Sequence, residues 1–458
     1  MTEHTRQLFG TDGIRGVAGV PPLDERTIFA VGQALGHRLS APARVVIGQD
    51  TRQSSEWIGN TIARGLISAG AQVDSAGVIT TPGVACLART LGYSAGIVIS
   101  ASHNPWRDNG IKVFSGDGYK LPDAIEHQIE GEIFAFLQKG GSIASDVATP
   151  STLPGSAELR RAYDAWLARD AAGVRLGTLK VLVDCANGAA ATVAPEMFRA
   201  CSIKTKFIHN SPDGKNINDN CGALHPDVVA RTVAEANQRG EGFDLGVTFD
   251  GDADRALFAD AEGRVINGDA VMLLAARDLQ LRGKLANNTV VATTMSNMGL
   301  EIALRNSGIR MLRAPVGDKY VLEEMKKTGA TLGGEQSGHI IFRDGDATTG
   351  DGLLTALRVL EIMARTKRPL AELVADLTVF PQVIKNIRVR EKKPLTDVPD
   401  IAAAIRGAES ELNGNGRVVV RYSGTEALAR VMVEADSEDR MHRLADSIAT
   451  AIQRTLGN

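Results

Sequence analysis

The sequence Ile97-Val98-Ile99-Ser100-Ala101-Ser102-His103-Asn104-Pro105 decides the fold of the N-terminal part of this chain. Its run of β-branched residues predicts a buried strand, and the polar residues before Pro105 predict a sharp turn. A residue at the carboxyl end of such a strand faces an open crevice in layered α/β proteins, so Ser102 is a candidate nucleophile. An ordinary turn, rich in Ser, Asn and Pro for conformational reasons, is the alternative.

Strands and helices alternate on the N-terminal side of this stretch. The apolar periodicity predicts helices over 24–39 and 54–69 and strands over 44–48 and 72–78. This alternation predicts a layered α/β domain with largely parallel strands.

The same pattern starts again twice further along the chain. Early strands at Val181 and Val290 repeat the one at Val45, and later strands lead into polar loops at Asp250 and Gly334, as at Ser100. We therefore expect three similar mixed-sheet α/β domains, each of which presents one loop to a central cleft.

The end of the chain differs from this pattern. Strands and a long final helix after residue 370 predict a smaller C-terminal α+β domain, and a stretch rich in Gly, Ser, Thr and Pro over 139–154 predicts a linker. The expected domains are 1–154, 155–256, 257–370 and 371–458.

Composition restricts the class of protein. A chain of 458 residues is too long to fold around one hydrophobic core, so several domains are expected. A net charge of −3 argues against a nucleic-acid partner. The four cysteines form no C-x-x-C pair, which indicates reduced thiols rather than a zinc site. No signal region or long apolar run is present, so we expect a cytoplasmic protein with no membrane partner.

The acidic triplet Asp250-x-Asp252-x-Asp254 is the sharpest chemical signal. Alternate residues of an extended segment face the same way, and three carboxylates this close repel one another unless a cation lies between them. Oxygen ligands suit Mg²⁺ or Ca²⁺, and Mg²⁺ is the usual partner of phosphoryl chemistry. An EF-hand is excluded because Arg255 and Ala261 occupy the positions that need glycine and glutamate. A solvated acidic turn is the alternative.

Two loops carry groups that bind phosphate. The segment 9–16, FGTDGIRG, places one guanidinium, that of Arg15, in a glycine-spaced loop. The segment 421–426, RYSGTE, offers a guanidinium, hydroxyls and backbone N–H groups, with Arg430 close behind. A plain turn is an equal alternative for each loop taken alone.

Together these features favour phosphoryl transfer, which needs a nucleophile, a metal and cations around the phosphate. No G-x-S-x-G motif is present, so an acyl hydrolase is disfavoured. His103 is a doubtful base for Ser102, because neighbouring residues on an extended chain point apart. Glu335 and Ser337, in the loop before His339, could bind sugar hydroxyls or an amine.

Five motifs in order resemble those of the α-D-phosphohexomutase superfamily, and within it the phosphoglucosamine mutases. They are 9–16 FGTDGIRG, 101–105 ASHNP, 250–255 DGDADR, 334–339 GEQSGH and 421–426 RYSGTE. The match covers nearly the whole chain. One departure is Ala427, where the family usually has proline.

The resemblance implies a mechanism. Ser102 would be a phosphoserine whose phosphate completes the coordination of one Mg²⁺ ion by Asp250, Asp252 and Asp254. Glucosamine 6-phosphate and glucosamine 1-phosphate would interconvert through a glucosamine 1,6-bisphosphate intermediate, which also serves as activator, on the route to UDP-N-acetylglucosamine and the cell wall.

The resemblance also assigns roles to further residues. Lys112 and His339 would be the acid and base, and Arg15 and Arg255 would stabilise the transferred phosphate. Glu335 and Ser337 would bind the sugar. A second set would hold the phosphate that is not reacting: Arg421, Ser423, Gly424, Thr425 and Arg430.

Several alternatives stay open at this stage. The nearest is a phosphomannomutase or phosphoglucomutase of the same superfamily; a metal-dependent phosphatase and a phosphosugar-binding protein without catalysis are more distant. The first phosphate could come from an activating kinase or from autophosphorylation. A monomer and a homodimer both fit.

Overall fold

The computed structural model describes residues 8–10, 12–141, 153–170, 174, 176–343, 347–423 and 427–457. Most of the predicted linker over 139–154 lies outside these residues. The chain forms two compact units, one comprising residues 1–295 and 311–374 and the other residues 296–310 and 375–458. Among the described helices, none combines the length and the apolarity needed to cross a bilayer.

The N-terminal domain is a six-stranded sheet in the order β1-β2-β6-β5-β3-β4. Its strands are β1 (Phe9–Gly10), β2 (Gly13–Val17), β3 (Arg44–Gln49), β4 (Gln72–Val78), β5 (Ala95–Ile99) and β6 (Asp108–Ser115). Its helices are α1 (Glu25–Arg38), α2 (Ser55–Ser68), α3 (Thr81–Thr90) and α4 (Asp123–Gln138).

Helices cover both faces of this sheet. Val45 and Ile97 pack in the core that α1 and α2 share, whereas Gly48 and Gly96 face Val84 of α3. Alternate residues of a strand point to opposite faces, which is why one strand serves two helical layers.

The expectation of largely parallel strands is wrong for this sheet. Strand β3 runs parallel to β4 and β5, but β5–β6, β6–β2 and β2–β1 are antiparallel. The reason is the short connection over 100–107, since a parallel neighbour would need a crossover of about a dozen residues or more.

The second domain has a five-stranded sheet in the order β11-β10-β9-β7-β8. Its strands are β7 (Lys180–Asp184), β8 (Lys204–Ile208), β9 (Leu245–Phe249), β10 (Ala256–Asp260) and β11 (Val265–Ile266), and its helices are α5 (Ala157–Asp170), α6 (Ala190–Ala200) and α7 (Pro226–Gln238).

The third domain has a four-stranded sheet in the order β13-β12-β14-β15. Its strands are β12 (Thr289–Thr293), β13 (Arg310–Ala314), β14 (Leu332–Gly334) and β15 (Ile340–Phe342). Its helices are α8 (Gly268–Leu281), α9 (Met298–Asn306), α10 (Asp318–Thr328), α11 (Gly352–Thr366) and α12 (Leu370–Leu373).

The three sheets share one topology, which confirms the expected repeat. Four strands in each sheet correspond from domain to domain. Their orders are β6-β5-β3-β4 in the first, β10-β9-β7-β8 in the second and β15-β14-β12-β13 in the third. In each sheet the second strand of this order (β5, β9 or β14) pairs in parallel with the third. The chain then reverses, and the next strand (β6, β10 or β15) pairs antiparallel with the second. The loops after Ile99, Phe249 and Gly334 occupy this turn in the three copies.

The C-terminal part of the second unit is the predicted α+β domain. Its antiparallel sheet has the order β16-β18-β17, and two helices pack on it. The elements are β16 (Gln382–Arg388), α13 (Pro399–Leu412), β17 (Gly416–Tyr422), β18 (Leu428–Ala435) and α14 (Glu438–Leu456).

Candidate active site

Ser102 lies in the turn between β5 and β6, with its hydroxyl beside a carboxylate. Its Oγ donates a hydrogen bond to Asp250 Oδ2 over 2.6 Å. The residue is buried and has a φ of +52°, in the left-handed region that disfavours residues other than glycine. Ser100 Oγ accepts from the Ser102 N–H at 2.9 Å. The turn therefore aims the hydroxyl at the acidic loop of the second domain.

His103 lies closer to Ser102 than the sequence suggested. The expectation that their side chains point apart is wrong, because the left-handed backbone at Ser102 is not extended; His103 Nδ1 is 3.4 Å from Ser102 Oγ. Burial and the guanidiniums of Arg255 and Arg15 lower the pKa of His103. Its imidazole is therefore neutral at neutral pH.

The three aspartates meet in the turn between β9 and β10. Their carboxylate oxygens lie within 4.8 Å of one another, and all three residues are buried. Burial, reinforced by Asp254 and Asp252, raises the pKa of Asp250 well above its usual range. For Asp254 burial acts in the same direction, but Lys112 and His339 outweigh it and hold its pKa well below that range.

This triad fits Mg²⁺. Asp252 Oδ1 and Asp254 Oδ1 are buried and accept no hydrogen bond from the described residues. Buried carboxylate oxygens without donors are the ligands that a hard cation satisfies. Ser102 Oγ, 2.6 Å from Asp250 Oδ2, brings a further oxygen to the edge of the triad.

Lys112 reaches the triad from β6. Its Nζ is 2.7 Å from Asp252 Oδ2 and 3.4 Å from Asp254 Oδ2. Burial alone would lower the pKa of Lys112, but these two carboxylates raise it above its usual value. The ammonium is thus a buried proton donor that also offsets part of the negative charge.

Two arginines lie near the serine turn and the triad. Arg15 Nη1 is 3.5 Å from Asn104 Oδ1, and Arg255 Nε is 4.0 Å from Asp250 Oδ2 and 3.8 Å from Asp254 Oδ1. These guanidiniums line the same cavity as Ser102 and supply positive charge that can bind an anion there.

The loop of the third domain brings Glu335, Ser337 and His339 to the same place. Ser337 Oγ donates to Glu335 Oε2 at 3.2 Å, and Gly317 N donates to Glu335 Oε1 at 3.1 Å. A cavity of about 160 Å³ joins this loop to the others; its lining includes Arg15, Ser102, Lys112, Arg255, Glu335 and His339. All three α/β domains therefore contribute to one site.

His339 is surrounded by groups that favour opposite protonation states. Burial lowers its pKa, but the nearby carboxylates of Asp254, Asp318 and Glu335 raise it to about 9. Gly350 N is 3.1 Å from His339 Nε2 and can donate to it only when that nitrogen carries no proton. The ring is therefore suited to exchanging a proton.

The second unit carries the predicted phosphate loop. Arg421 of β17 and Arg430 of β18 lie directly opposite each other in the antiparallel ladder. Like charges in this position repel, an arrangement that a bound anion would relieve. Ser423 N donates to Leu428 O at 2.8 Å. Gly424 and Thr425 lie outside the described residues.

A second group of metal-type ligands occurs in the second domain. The ligand atoms of Asp184, His209 and Cys221 also lie within 4.8 Å of one another. Two oxygens of the triad lack a donor within the described part of the chain, whereas both oxygens of Asp184 accept hydrogen bonds, from Ala186 N, Gly222 N and His209 Nδ1 at 2.9–3.1 Å. We therefore interpret this group as an anchor for the loop between β8 and α7.

The structure adds side chains to the site that the sequence did not single out. Lys120 Nζ lies 3.0 Å from Asp12 Oδ1 and 2.7 Å from Asp318 Oδ2, which joins the first and third domains. Arg52 and Asn218 bind the backbone of the serine turn. Asp12 falls within the motif over 9–16, whereas Arg52, Lys120, Asp318 and Asn218 belong to no motif and gave no signal.

Comparison with protein families finds one family along most of the chain. Models of the phosphoglucomutase/phosphomannomutase family match in order: alpha/beta/alpha domain I at residues 6–139, domain II at 165–263, domain III at 267–380 and the C-terminal domain at 384–451.

Curated relatives are similar over the full length. The phosphoglucosamine mutase of Koribacter versatilis is 61% identical over 100% of this chain and 99% of its own. That of Solibacter usitatus is 51% identical over 99% of both chains.

Solved structures share the fold at lower identity. A phosphoglucomutase/phosphomannomutase family protein from Burkholderia thailandensis has a TM-score of 0.78 and 24% identity over 98% of both chains. The N-acetylphosphoglucosamine mutase of Aspergillus fumigatus, solved with GlcNAc-6P and magnesium, has a TM-score of 0.65 and 20% identity over 98% of this chain and 96% of its own.

Proposed function

The chain belongs to the phosphoglucosamine mutases of the phosphoglucomutase/phosphomannomutase family, and from this we propose that it interconverts glucosamine 6-phosphate and glucosamine 1-phosphate. The observation that carries the proposal is the 2.6 Å contact between Ser102 Oγ and the buried triad. A mutase must phosphorylate its serine again in each turnover, which calls for acid–base groups beside that serine. A phosphosugar-binding protein needs neither feature, and a phosphatase releases the phosphate instead of returning it to the sugar.

In the proposed cycle Ser102 gives one phosphoryl group to the sugar and takes back the other. The sugar hydroxyl oxygen bonds to phosphorus as the bond between phosphorus and Ser102 Oγ breaks, which yields glucosamine 1,6-bisphosphate. The hydroxyl's proton passes to a base and Ser102 Oγ gains one. After the intermediate reorients, Ser102 Oγ attacks its other phosphate and the same transfers run in reverse.

The described residues suit these steps. We assign the proton for the departing Ser102 oxygen to Lys112, whose buried ammonium lies among the carboxylates of the triad. We assign the proton transfer at the sugar hydroxyl to His339, which lines the same cavity. Mg²⁺ held by Asp250, Asp252, Asp254 and the serine oxygen would supply charge that stabilises the transferred phosphoryl group. Arg15 and Arg255 add donors to that group, and Glu335 and Ser337 would bind the sugar.

The second phosphate requires a separate anion site. We assign it to Arg421, Ser423, Gly424, Thr425 and Arg430, because the facing guanidiniums of Arg421 and Arg430 favour an anion. Three further predictions stay as they were. The first phosphate comes from a kinase or from autophosphorylation, the protein is a monomer or a homodimer, and its location is cytoplasmic.

The test compares glucosamine, glucose and mannose phosphates in the presence of Mg²⁺ and a trace of each matching bisphosphate, while free phosphate is measured. We expect strong preference for glucosamine phosphate without phosphate release. Preference for another hexose would replace the substrate but keep the mechanism; steady phosphate release without isomer would exclude a mutase.

Replacement of the nucleophile tests the central residue. Ser102→Ala should abolish isomer formation while the melting temperature stays close to that of the unaltered protein, because only one hydroxyl is lost. Ser94→Ala, at the opposite end of β5, is the control and should retain full activity. Near-normal turnover by Ser102→Ala would remove Ser102 from the mechanism.

A further inference from the structure

The serine turn holds a conformation that its own sequence does not favour. Ser102 has a φ of +52°, and the carbonyl groups of Ser102 and Asn104 accept hydrogen bonds from a side chain outside the turn. A left-handed serine persists only where surrounding contacts fix it. These contacts come from two side chains that the mechanism above does not use.

Arg52, from the loop between β3 and α2, binds the turn from the first domain. Its side chain is fully buried, and its Nη2 donates to Ser102 O and to Asn104 O, both at 2.8 Å. Its Nη1 donates to Asp108 O at 3.0 Å and also to Pro105 O. The guanidinium thus spans the turn from its first residues to the start of β6.

The orientation of Arg52 is itself fixed. Asp50 Oδ2 accepts from its Nε at 2.7 Å, and Ser100 Oγ donates to the same carboxylate oxygen at 2.7 Å. Every N–H of the guanidinium therefore has a direction set by the protein, so the fork cannot rotate away from the turn.

Asn218 binds the same two carbonyls from the second domain. Its Nδ2 is 2.9 Å from Ser102 O and 3.1 Å from Asn104 O. Its backbone N donates to Ala186 O at 2.9 Å, and the loop that carries it ends at Gly222, whose N–H donates to Asp184. The anchor described above thus fixes Asn218 relative to the second sheet.

Gly251 completes the enclosure. A Cβ on this residue would lie 2.5 Å from Ser102 O and 2.9 Å from Asn218 Nδ2. The absence of a side chain therefore lets the acidic loop, which begins at Asp250, close directly over the serine carbonyl.

We propose that Arg52 and Asn218 are positioning residues that hold the serine turn so that Ser102 Oγ meets the triad in the same place at both transfers of a cycle. This inference rests on the proposed function, in which Ser102 first donates and then accepts a phosphoryl group. The pair joins the domain that carries the nucleophile to the domain that carries the triad. Misplacement of a nucleophile by about 1 Å costs roughly 100-fold in rate.

Asn218→Gly is the decisive variant, with Asn220→Gly as its matched control. Both asparagines lie in one loop with left-handed φ values of +57° and +51°, so glycine removes the side chain of each without backbone strain. Asn218 contacts the turn, whereas Asn220 is exposed and its side chain contacts Asp219.

The readouts are the single-turnover rate of phosphoryl transfer from phosphorylated enzyme to glucosamine 1-phosphate, the dissociation constant for that sugar phosphate, and the melting temperature. For Asn218→Gly we expect the rate to fall about 10-fold or more, in line with nucleophile misplacement, with a dissociation constant within about twofold. Asn220→Gly should match the unaltered protein. An unchanged rate for Asn218→Gly, or an equal loss in both variants, would overturn the proposal.

Arg52→Lys provides a second, independent variant, because lysine keeps the charge but lacks the fork. Arg44→Lys is its control, because Arg44, at the start of β3, is exposed and pairs with Asp74 of β4. We expect Arg52→Lys to slow transfer more than Asn218→Gly. In the double variant the rate should fall by less than the product of the two single decreases, since both side chains bind the same carbonyls. Multiplicative effects would contradict a shared role.

The two hypotheses fail in different ways. If the unaltered phosphoprotein does not transfer its phosphate to a sugar phosphate, the proposed function fails. If the unaltered phosphoprotein transfers its phosphate, and Asn218→Gly and Arg52→Lys transfer theirs as fast as the unaltered protein, only the positioning role fails.

Discussion

Asp250 combines two properties that oppose each other in the metal-free protein. It is fully buried, and it shares its pocket with Asp252 and Asp254, so its ionised form is disfavoured. It nevertheless accepts a hydrogen bond from Ser102 Oγ and belongs to the group of carboxylates that could hold a metal ion. Residues of this kind stabilise a site's chemistry at the expense of the fold.

We therefore expect Asp250→Asn to raise the free energy of unfolding in EDTA by about 1 kcal/mol or more, because the amide removes a buried charge without changing shape. Mg²⁺ should stabilise the unaltered protein more than the variant, and mutase activity should be lost. Asp227→Asn, at an exposed position on α7, is the control for the loss of one charge. Lower stability of Asp250→Asn in EDTA would show that the carboxylate is favourable even without metal.

His209 shows how one residue links the ends of two strands. It follows β8, and its Nδ1 is 3.1 Å from Asp184 Oδ1 at the end of β7. This hydrogen bond raises the pKa of His209, although burial acts against it. The protonated ring therefore stabilises the fold, fully below the unfolded pKa of about 6.5, and the contribution is lost as pH rises through the raised pKa.

For His209→Gln we expect a loss of stability at pH 6 that shrinks toward pH 9. The loss should stay below about 1 kcal/mol, since a third of the side chain is exposed and solvent screens the pair. Urea unfolding at several pH values measures it, with His127→Gln on α4 as the control. A difference that grows with pH would mean that the neutral ring is the stabilising form.

At the scale of elements, helices α1 and α2 approach each other through glycine. A Cβ on Gly65 would lie 2.2 Å from Phe29 O, and one on Gly32 would lie 2.2 Å from Ile62 O. The two helices therefore touch backbone to backbone, and the core residues around them depend on that distance.

Gly65→Ala should destabilise the protein by about 1–3 kcal/mol, because the helices must move apart. Gly131 of α4 is the matched control: it is also inside a helix, but nothing lies within 4 Å of its Cβ position. Gly131→Ala should stabilise by about 1 kcal/mol through helix propensity. Chemical unfolding separates the two, and equal effects would show that propensity rather than contact decides.

At the scale of the whole first unit, alternating charges connect the three α/β domains. Lys120 lies between Asp12 of the first domain and Asp318 of the third. Asp318 Oδ2 is 3.7 Å from His339 Nε2, and His339 Nδ1 is 3.7 Å from Asp254 Oδ1 in the second domain. Burial raises the pKa of Asp12, but Lys120 and Lys112 outweigh it and lower that pKa.

We expect Lys120→Met to destabilise the first unit by about 1 kcal/mol at pH 7, since two carboxylates lose their shared cation while solvent screens part of the effect. A carboxyl with a lowered pKa contributes stability that is present at neutral pH and lost as pH falls. The difference between Lys120→Met and the unaltered protein should therefore shrink toward acidic pH. Lys284→Met, at an exposed position, is the control; a difference independent of pH would exclude the carboxylates as its cause.

Much of the fold followed from local pattern. The β-branched run before Ser102, the periodic helices and the three similar strand pairs are short-range features, so the sequence indicated the α/β class and the repeat. Parallel or antiparallel pairing was less accessible, because it depends on connection length and on which strands become neighbours in space. The conformation of the serine turn was also missed, since a left-handed serine is fixed by distant donors.

The sequence by itself indicated the chemistry: Ser102, the three carboxylates and the two loops over 9–16 and 421–426 have residue types and spacing that suit phosphoryl transfer. Only the tertiary structure decided which groups meet. It placed Ser102 against Asp250, and Arg52 and Asn218 on the same two carbonyls, although 116 positions separate Asn218 from Ser102. The physical reason is that hydrogen bonds and charge effects act over a few ångströms, and that proximity between domains is set by packing rather than by order along the chain.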